Sequence, residues 1–173
     1  LHVRKPAFTV NDTRNYLYGI EVKYRPLIAL HQHQEILSPE FELRRIHFPE
    51  KKREETSVVD LELLKEKGFF LSTSVHNAVD LQNCGKYFNR VFLGPVFDSI
   101  SKKDYPGKTF PILKNQGTTE IIGIGGVKNS NLSTLSELGY DGGALLGWIW
   151  ENPSESITRF KSLIAKWALQ AQP

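Results

Sequence analysis

Apolar positions in this chain fall in short runs separated by longer stretches of mixed polarity, and the alternation continues from one end to the other. The runs occupy residues 2–4, 27–31, 46–48, 69–76, 91–97, 121–125 and 143–149. Runs of this length, rich in branched and aromatic residues, predict strands, and their alternation with helix-like segments predicts a parallel α/β architecture. The intervening segments carry helix punctuation. Ser57 and Asp60 resemble a capping box, Val58, Leu61 and Leu64 mark one face, and Gly68 supplies a stop. Asn77 with Asp80 opens a second helix that Gly85 closes, and Asn129 or Ser130 opens a third that ends at Gly139. After Pro153, the residues Ile157, Phe160, Leu163, Ile164 and Trp167 recur at helical spacing, which predicts an amphipathic helix packed along the flank of the fold.

Counting gives about seven βα repeats, where a closed (β/α)8 TIM barrel needs eight. The first run has the character of a second strand. The expectation is therefore a (β/α)8 TIM barrel whose first strand and helix, on the order of 25–30 residues, are missing from the sequence. A start at Leu1 within a strand-like run, and the absence of methionine, agree with an incomplete chain. An open doubly wound sheet is the alternative; it needs no missing strand but gives no reason for two consecutive glycine-rich strand ends. With 173 residues and 40% apolar content, the chain has the size of a single domain spanning 1–173.

Charge and composition narrow the function classes. The net charge is +3, with basic residues scattered among acids instead of gathered in a stripe. That argues against a nucleic-acid partner and leaves room for a small anionic substrate. Cys84 is the sole cysteine, so no internal disulfide and no cysteine-rich metal site can form, and a reducing, cytoplasmic setting is expected. No apolar run approaches the roughly 18 residues of a membrane span, and the first residues lack the apolar core of a signal peptide. No membrane partner is expected; a homodimer is compatible with this reading.

Two glycine-rich segments stand at successive strand ends: Gly123-Ile124-Gly125-Gly126, and Gly142-Gly143-Ala144-Leu145-Leu146-Gly147. In barrels of this type the loops after the last two strands hold a phosphate on backbone N–H groups, where a side chain would block close approach. Gly125, Gly126, Leu146 and Gly147 are the candidates for that role. The competing reading is that these glycines relieve crowding in strands and turns.

All five histidines, His2, His31, His33, His47 and His76, fall within or at the ends of the expected strands, the face where barrels carry their chemistry. Strand alternation puts Ser72, Ser74 and His76 on one face and Thr73 and Val75 on the other. A histidine at that position can shuttle a proton near neutral pH, which makes His76 the catalytic candidate. His31 and His33, two residues apart, could grip a metal, but further ligands are wanting and the last strand carries no aspartate, so no metal is assigned. Residues 98–108, rich in hydroxyls and lysines, read either as a lid over an anionic substrate or as an exposed charged loop.

In order along the chain, His2-Val3-Arg4, Ile46-His47, Ser74-Val75-His76, Gly94-Pro95-Val96-Phe97 with Ser99-Ile100-Ser101-Lys102-Lys103, Gly123-Ile124-Gly125-Gly126 with Asn131, and Gly139-Tyr140-Asp141-Gly142 form a set. Through this set the chain resembles the thiamine phosphate synthase and thiazole tautomerase family. The resemblance implies a barrel of thiamine biosynthesis whose last two strands grip a thiazole phosphate; the candidate substrate and lid residues are Arg4, His31, Ser74, Ser99, Ser101 and Lys102. Family synthases join a pyrimidine diphosphate to thiazole phosphate with magnesium, using Asn-Asp-Asp after the third strand and an acidic motif after the fourth. This chain has His31-Gln32-His33 and Glu50-Lys51-Lys52 there. Synthases also carry arginine and, two residues on, lysine; here Arg4 is followed by Lys5 and Pro6, and alternation sends Lys5 to the opposite face. The tautomerase branch needs no metal or diphosphate, and His76 matches its proton-transferring histidine. The resemblance thus favours a tautomerase without cofactor over a magnesium-dependent synthase or a silent binder of thiazole phosphate or thiamine phosphate. Other phosphate-binding barrels, such as those of tryptophan or histidine biosynthesis, usually carry acidic residues that are scarce here.

Overall fold

A computed structural model of the chain describes residues 1–99, 106–110 and 117–170. Seven strands run in chain order through one sheet: β1 His2–Val3, β2 Ala29–Leu30, β3 Arg45–Phe48, β4 Phe70–Val75, β5 Arg90–Leu93, β6 Glu120–Ile124 and β7 Gly142–Ala144. The pairs β1–β2, β2–β3, β3–β4, β5–β6 and β6–β7 are parallel. Parallel neighbours require a crossover between them. Among the described residues, α1 Val10–Tyr18, α2 Gln34–Glu40, α3 Glu50–Glu55, α4 Val58–Glu66, α5 Ala78–Cys84 and α6 Leu132–Glu137 lie in such crossovers, none is described between β5 and β6, and α7 Gly147–Trp150 and α8 Ser156–Gln170 follow β7. Each of the seven expected strands is present. The last is shorter than its apolar run suggests, because the chain leaves the sheet after Ala144 and Gly147–Trp150 coils into a helical turn.

Local chemistry explains where the helices begin. Ser57 Oγ accepts from the Asp60 N–H at 3.1 Å and opens α4; Asn77 Oδ1 accepts from the Asp80 N–H at 2.8 Å and opens α5. Gly68 and Gly139 adopt positive φ just past α4 and α6, as expected of stops. The capping box of α1 is reciprocal: Thr9 Oγ1 accepts from the Asp12 N–H at 3.2 Å, and Asp12 Oδ2 accepts from the Thr9 N–H at 2.9 Å.

The chain forms two compact units, Leu1–Thr73 with Tyr87–Asn89, and Ser74–Lys86 with the described residues from Arg90 onward. In the first, Val3, Leu17, Ile28, Leu30, Leu37, Phe41 and Leu43 form the core between the strands and α1 and α2. Phe48 and Phe88 meet edge to face at 5.8 Å. In the second, Val91, Leu93, Ile121, Leu132, Leu135 and Leu163 are buried. The stripe expected on the C-terminal helix is only partly covered. Leu163 is 3% exposed, whereas Ile157, Phe160 and Ile164 are 69%, 52% and 53% exposed.

Candidate functional sites at the strand ends

In the first unit, parallel register aligns the chemistry. Val3 pairs with Leu30, Leu30 with Ile46, and His47 with Ser72, so the residues that follow or end these strands reach the same level. His31 and His47 stand at that level, and the His2 ring, from two residues lower on β1 where it pairs with Ala29, meets them. His2 Nδ1 lies 3.1 Å from His31 Nε2, and one ring nitrogen from each of the three lies within 4.8 Å of the others. His31 and His47 stack with centroids 4.0 Å apart, and His2 meets each of them edge-on at 5.3 Å. Burial pushes His31 down to about 4, helped by the Arg4 charge. Burial, with the neighbouring His31, His2 and Arg4, pushes His47 down to about 2. Both rings are therefore neutral at pH 7.

Two side chains fix this arrangement. The Ser72 hydroxyl donates to Ile46 O at 3.2 Å, so its oxygen accepts the His47 Nδ1–H at 3.1 Å. His47 is thereby held as the Nδ1–H tautomer, with the lone pair on Nε2. Gln34, buried in the first turn of α2, donates to Leu30 O at 2.8 Å and to His47 O at 2.7 Å, tying together the ends of β2 and β3. Lys52 donates to Gln34 Oε1 and to Glu35, which fixes the amide's orientation and holds the Glu35 carboxyl below its usual range. The pairing of His31 with His33 does not form. His33 adopts a left-handed φ of 58° at the start of α2, and its Nε2 donates to Phe8 O at 3.0 Å. That backbone turn breaks the strand alternation that would have pointed both rings the same way.

The second unit carries His76, Ser74, Ser99 and the glycine segments. β4 ends at Val75, so His76 stands exposed one residue beyond it, where strand alternation no longer sets its direction; Ser74 is half-buried within the strand. His76 Nδ1–H donates to Gly94 O at 3.1 Å. Since a carbonyl only accepts, the proton sits on Nδ1 and Nε2 keeps its lone pair.

Gly125 and Gly126 follow β6 with φ of 99° and 64°. A Cβ on Gly125 would stand 2.8 Å from Pro95 Cα, and one on Gly126 2.2 Å from Asp98 O. Close passage of the 95–98 segment therefore requires glycine at both positions, whatever else the loop does. Gly126 also lines a cavity of about 350 Å³ together with Asp98, Lys108, Thr109, Lys128 and Asn131. Asn131 Nδ2 donates to Gly126 O at 3.0 Å, and its Oδ1 accepts from the Lys128 N–H at 2.9 Å, so this side chain pins the loop. Leu146 is 69% exposed, and Gly147 is the first residue of α7; neither they nor Gly125 line that cavity. The two lysines lining it carry no signal by spacing, because Lys108 and Lys128 stand in separate loops. The lid residues Ser101 and Lys102 lie outside the described residues; Ser99 is half-buried.

Parallel strands joined by helices, with histidines and glycine loops at their carboxyl ends, define an α/β protein of the TIM-barrel class. Its fold is that of thiamine phosphate pyrophosphorylase structures. The chain is similar to the one from Bacteroides thetaiotaomicron at 21% identity, covering 99% of this chain and 85% of that one with a TM-score of 0.70. It is similar to the one from Pyrococcus furiosus at 14% identity, covering 95% and 81% with a TM-score of 0.63. No family model matches the sequence, and no curated protein matches it. Among the described residues, no helix is long and apolar enough to cross a membrane.

Proposed function

We propose that this chain is an enzyme of the thiamine phosphate synthase family that binds a thiazole phosphate and moves a proton on it, as a thiazole tautomerase does, with His76 as the general acid and base. The supporting observation is the hydrogen bond from His76 Nδ1–H to Gly94 O at 3.1 Å, which leaves Nε2 able to accept a proton at the exposed end of β4. In this reading Nε2 takes the proton from one carbon of a thiazole carboxylate phosphate and returns it to another, and the ring becomes aromatic. The phosphate sits against the Gly126 loop in the cavity that Gly126, Lys108 and Lys128 line, and the two lysines offset its charge. Ser74 or Lys102 steadies the carboxylate.

A second reading is supported by the names of the structural relatives: a thiamine phosphate synthase, which releases pyrophosphate with magnesium. Magnesium takes oxygen donors. Among the described residues, the group that gathers side chains suited to a metal is made of imidazoles, Glu35 is bonded to Lys52, and Glu50 faces Arg53. These residues do not fit magnesium.

The test is incubation of the purified chain with the thiazole carboxylate phosphate alone, and with both synthase substrates in the presence and absence of magnesium. Products are resolved by chromatography. We expect magnesium-independent isomerisation, with kcat reduced about 10²–10⁴-fold in His76→Ala. Magnesium-dependent thiamine phosphate formation would establish the synthase reading instead. Affinity for thiazole phosphate or thiamine phosphate without turnover would make the chain a silent binder.

A further inference from the structure

We propose that His2, His31 and His47 form a binding site for one divalent transition-metal ion of the zinc type, held by three imidazoles with a fourth position open. The inference concerns the first unit alone and is independent of the His76 reading.

Three observations carry it. The first is distance. Two imidazole nitrogens bound at about 2.1 Å to a tetrahedral ion stand about 3.4 Å apart, and their rings about 5 Å apart. His2 Nδ1 and His31 Nε2 are already 3.1 Å apart, and His2 lies 5.3 Å by ring centroids from both His31 and His47. The three ligand atoms fit within a 4.8 Å sphere of mutual separation, so one ion can reach all of them. The stacked His31 and His47 rings, 4.0 Å apart, would open by about 1 Å on the ion.

The second is the outer support. A metal-ligating histidine normally donates its other ring N–H to a fixed acceptor, which sets the tautomer and the ring plane. The His47 Nδ1–H bond to Ser72 does this, and Ser72 is itself committed to Ile46 O. Gln34 clamps the backbone at His47 O and at Leu30 O, the residue before His31, so both ligands stand on a braced pair of strand ends.

The third is donor chemistry. Imidazoles suit zinc, cobalt, nickel and copper and are poor partners for magnesium or calcium. The charge beside the cluster is that of Arg4. A cation next to a guanidinium gains from an anion in its open position, so the fourth ligand is expected to be hydroxide or an oxyanion of a substrate.

The experiment uses the full chain without a histidine tag, freed of metal with a chelator, and titrated with Zn2+ against a chromogenic competitor and with Co2+ by visible absorption. We expect one equivalent bound, strong visible bands of four- or five-coordinate cobalt, and imidazole scattering in the X-ray absorption of the wild-type zinc complex. His31→Ala should weaken binding by more than about 100-fold and Ser72→Ala by about 10–100-fold, while His33→Ala leaves it unchanged. Far-UV circular dichroism establishes that each variant is folded; the cobalt and X-ray spectra need no variant. No saturable binding below about 10 μM, affinity retained in folded His31→Ala, or a wild-type spectrum without imidazole would overturn the site.

Discussion

Single residues in this protein are set by their immediate surroundings, and Tyr140 makes the point quantitatively. Its ring is buried, and its hydroxyl has no hydrogen-bond partner among the described residues. Burial pushes it up from 10.0 to about 12. Between those values the unfolded chain has lost a proton that the folded chain still holds, so this residue's contribution to stability is intact below pH 10 and is lost as pH rises toward 12. Tyr140→Phe should therefore flatten the fall of the urea midpoint across that window. At neutral pH it should leave stability unchanged or raise it by about 1 kcal/mol, because an unpaired buried hydroxyl is removed. An unaltered alkaline slope would contradict the assignment. The histidines show how far single residues are legible beforehand. Their location at strand ends follows from the apolar runs, but which of them meet does not. Spacing suggested His31 with His33, and the left-handed turn at His33 sends that ring to Phe8 O instead.

Elements are joined by side chains whose importance the hydrophobic pattern cannot express. Gln34 is polar and nearly fully buried, and periodicity gives no reason to expect it in a core. Its amide satisfies Leu30 O and His47 O, two carbonyls at the ends of β2 and β3. Gln34→Leu keeps the volume and orphans both acceptors. We expect a cost of about 2–4 kcal/mol, read as a lower urea midpoint at unchanged m, because each buried group left unpaired costs about 1–3 kcal/mol. Helices α4, α5 and α6 were readable because their caps stand directly before apolar periodicity. α1 carries an equally good box at Thr9 and Asp12, yet it begins in a segment with only a few apolar residues. α2 holds Pro39 near its end, and every residue of α3 is charged, so neither presents an apolar period.

The whole molecule decides which apolar surface is removed from water. The stripe on α8 is regular in sequence, but only Leu163 is enclosed, where α8 meets α6 and α7. Leu163→Ala should cost about 2–4 kcal/mol. Ile157→Ala, at a position 69% exposed, should change stability by less than about 0.5 kcal/mol. Equal losses, measured by denaturant titration, would show that the helix face is covered differently.

Short apolar runs bounded by caps and stops determined the number of strands, their parallel order and the glycine-rich ends, because these depend on local conformational preference and on the period of side-chain burial. Tertiary structure alone decided the rest. Parallel register sets His31 level with His47 although 16 residues separate them, and places His2, 29 residues before His31, two residues lower on β1, beside Ala29. It also places Lys108 and Lys128, from separate loops, around one cavity with Gly126. Contacts between residues distant in sequence are chosen by register and crossover geometry, which no local pattern encodes.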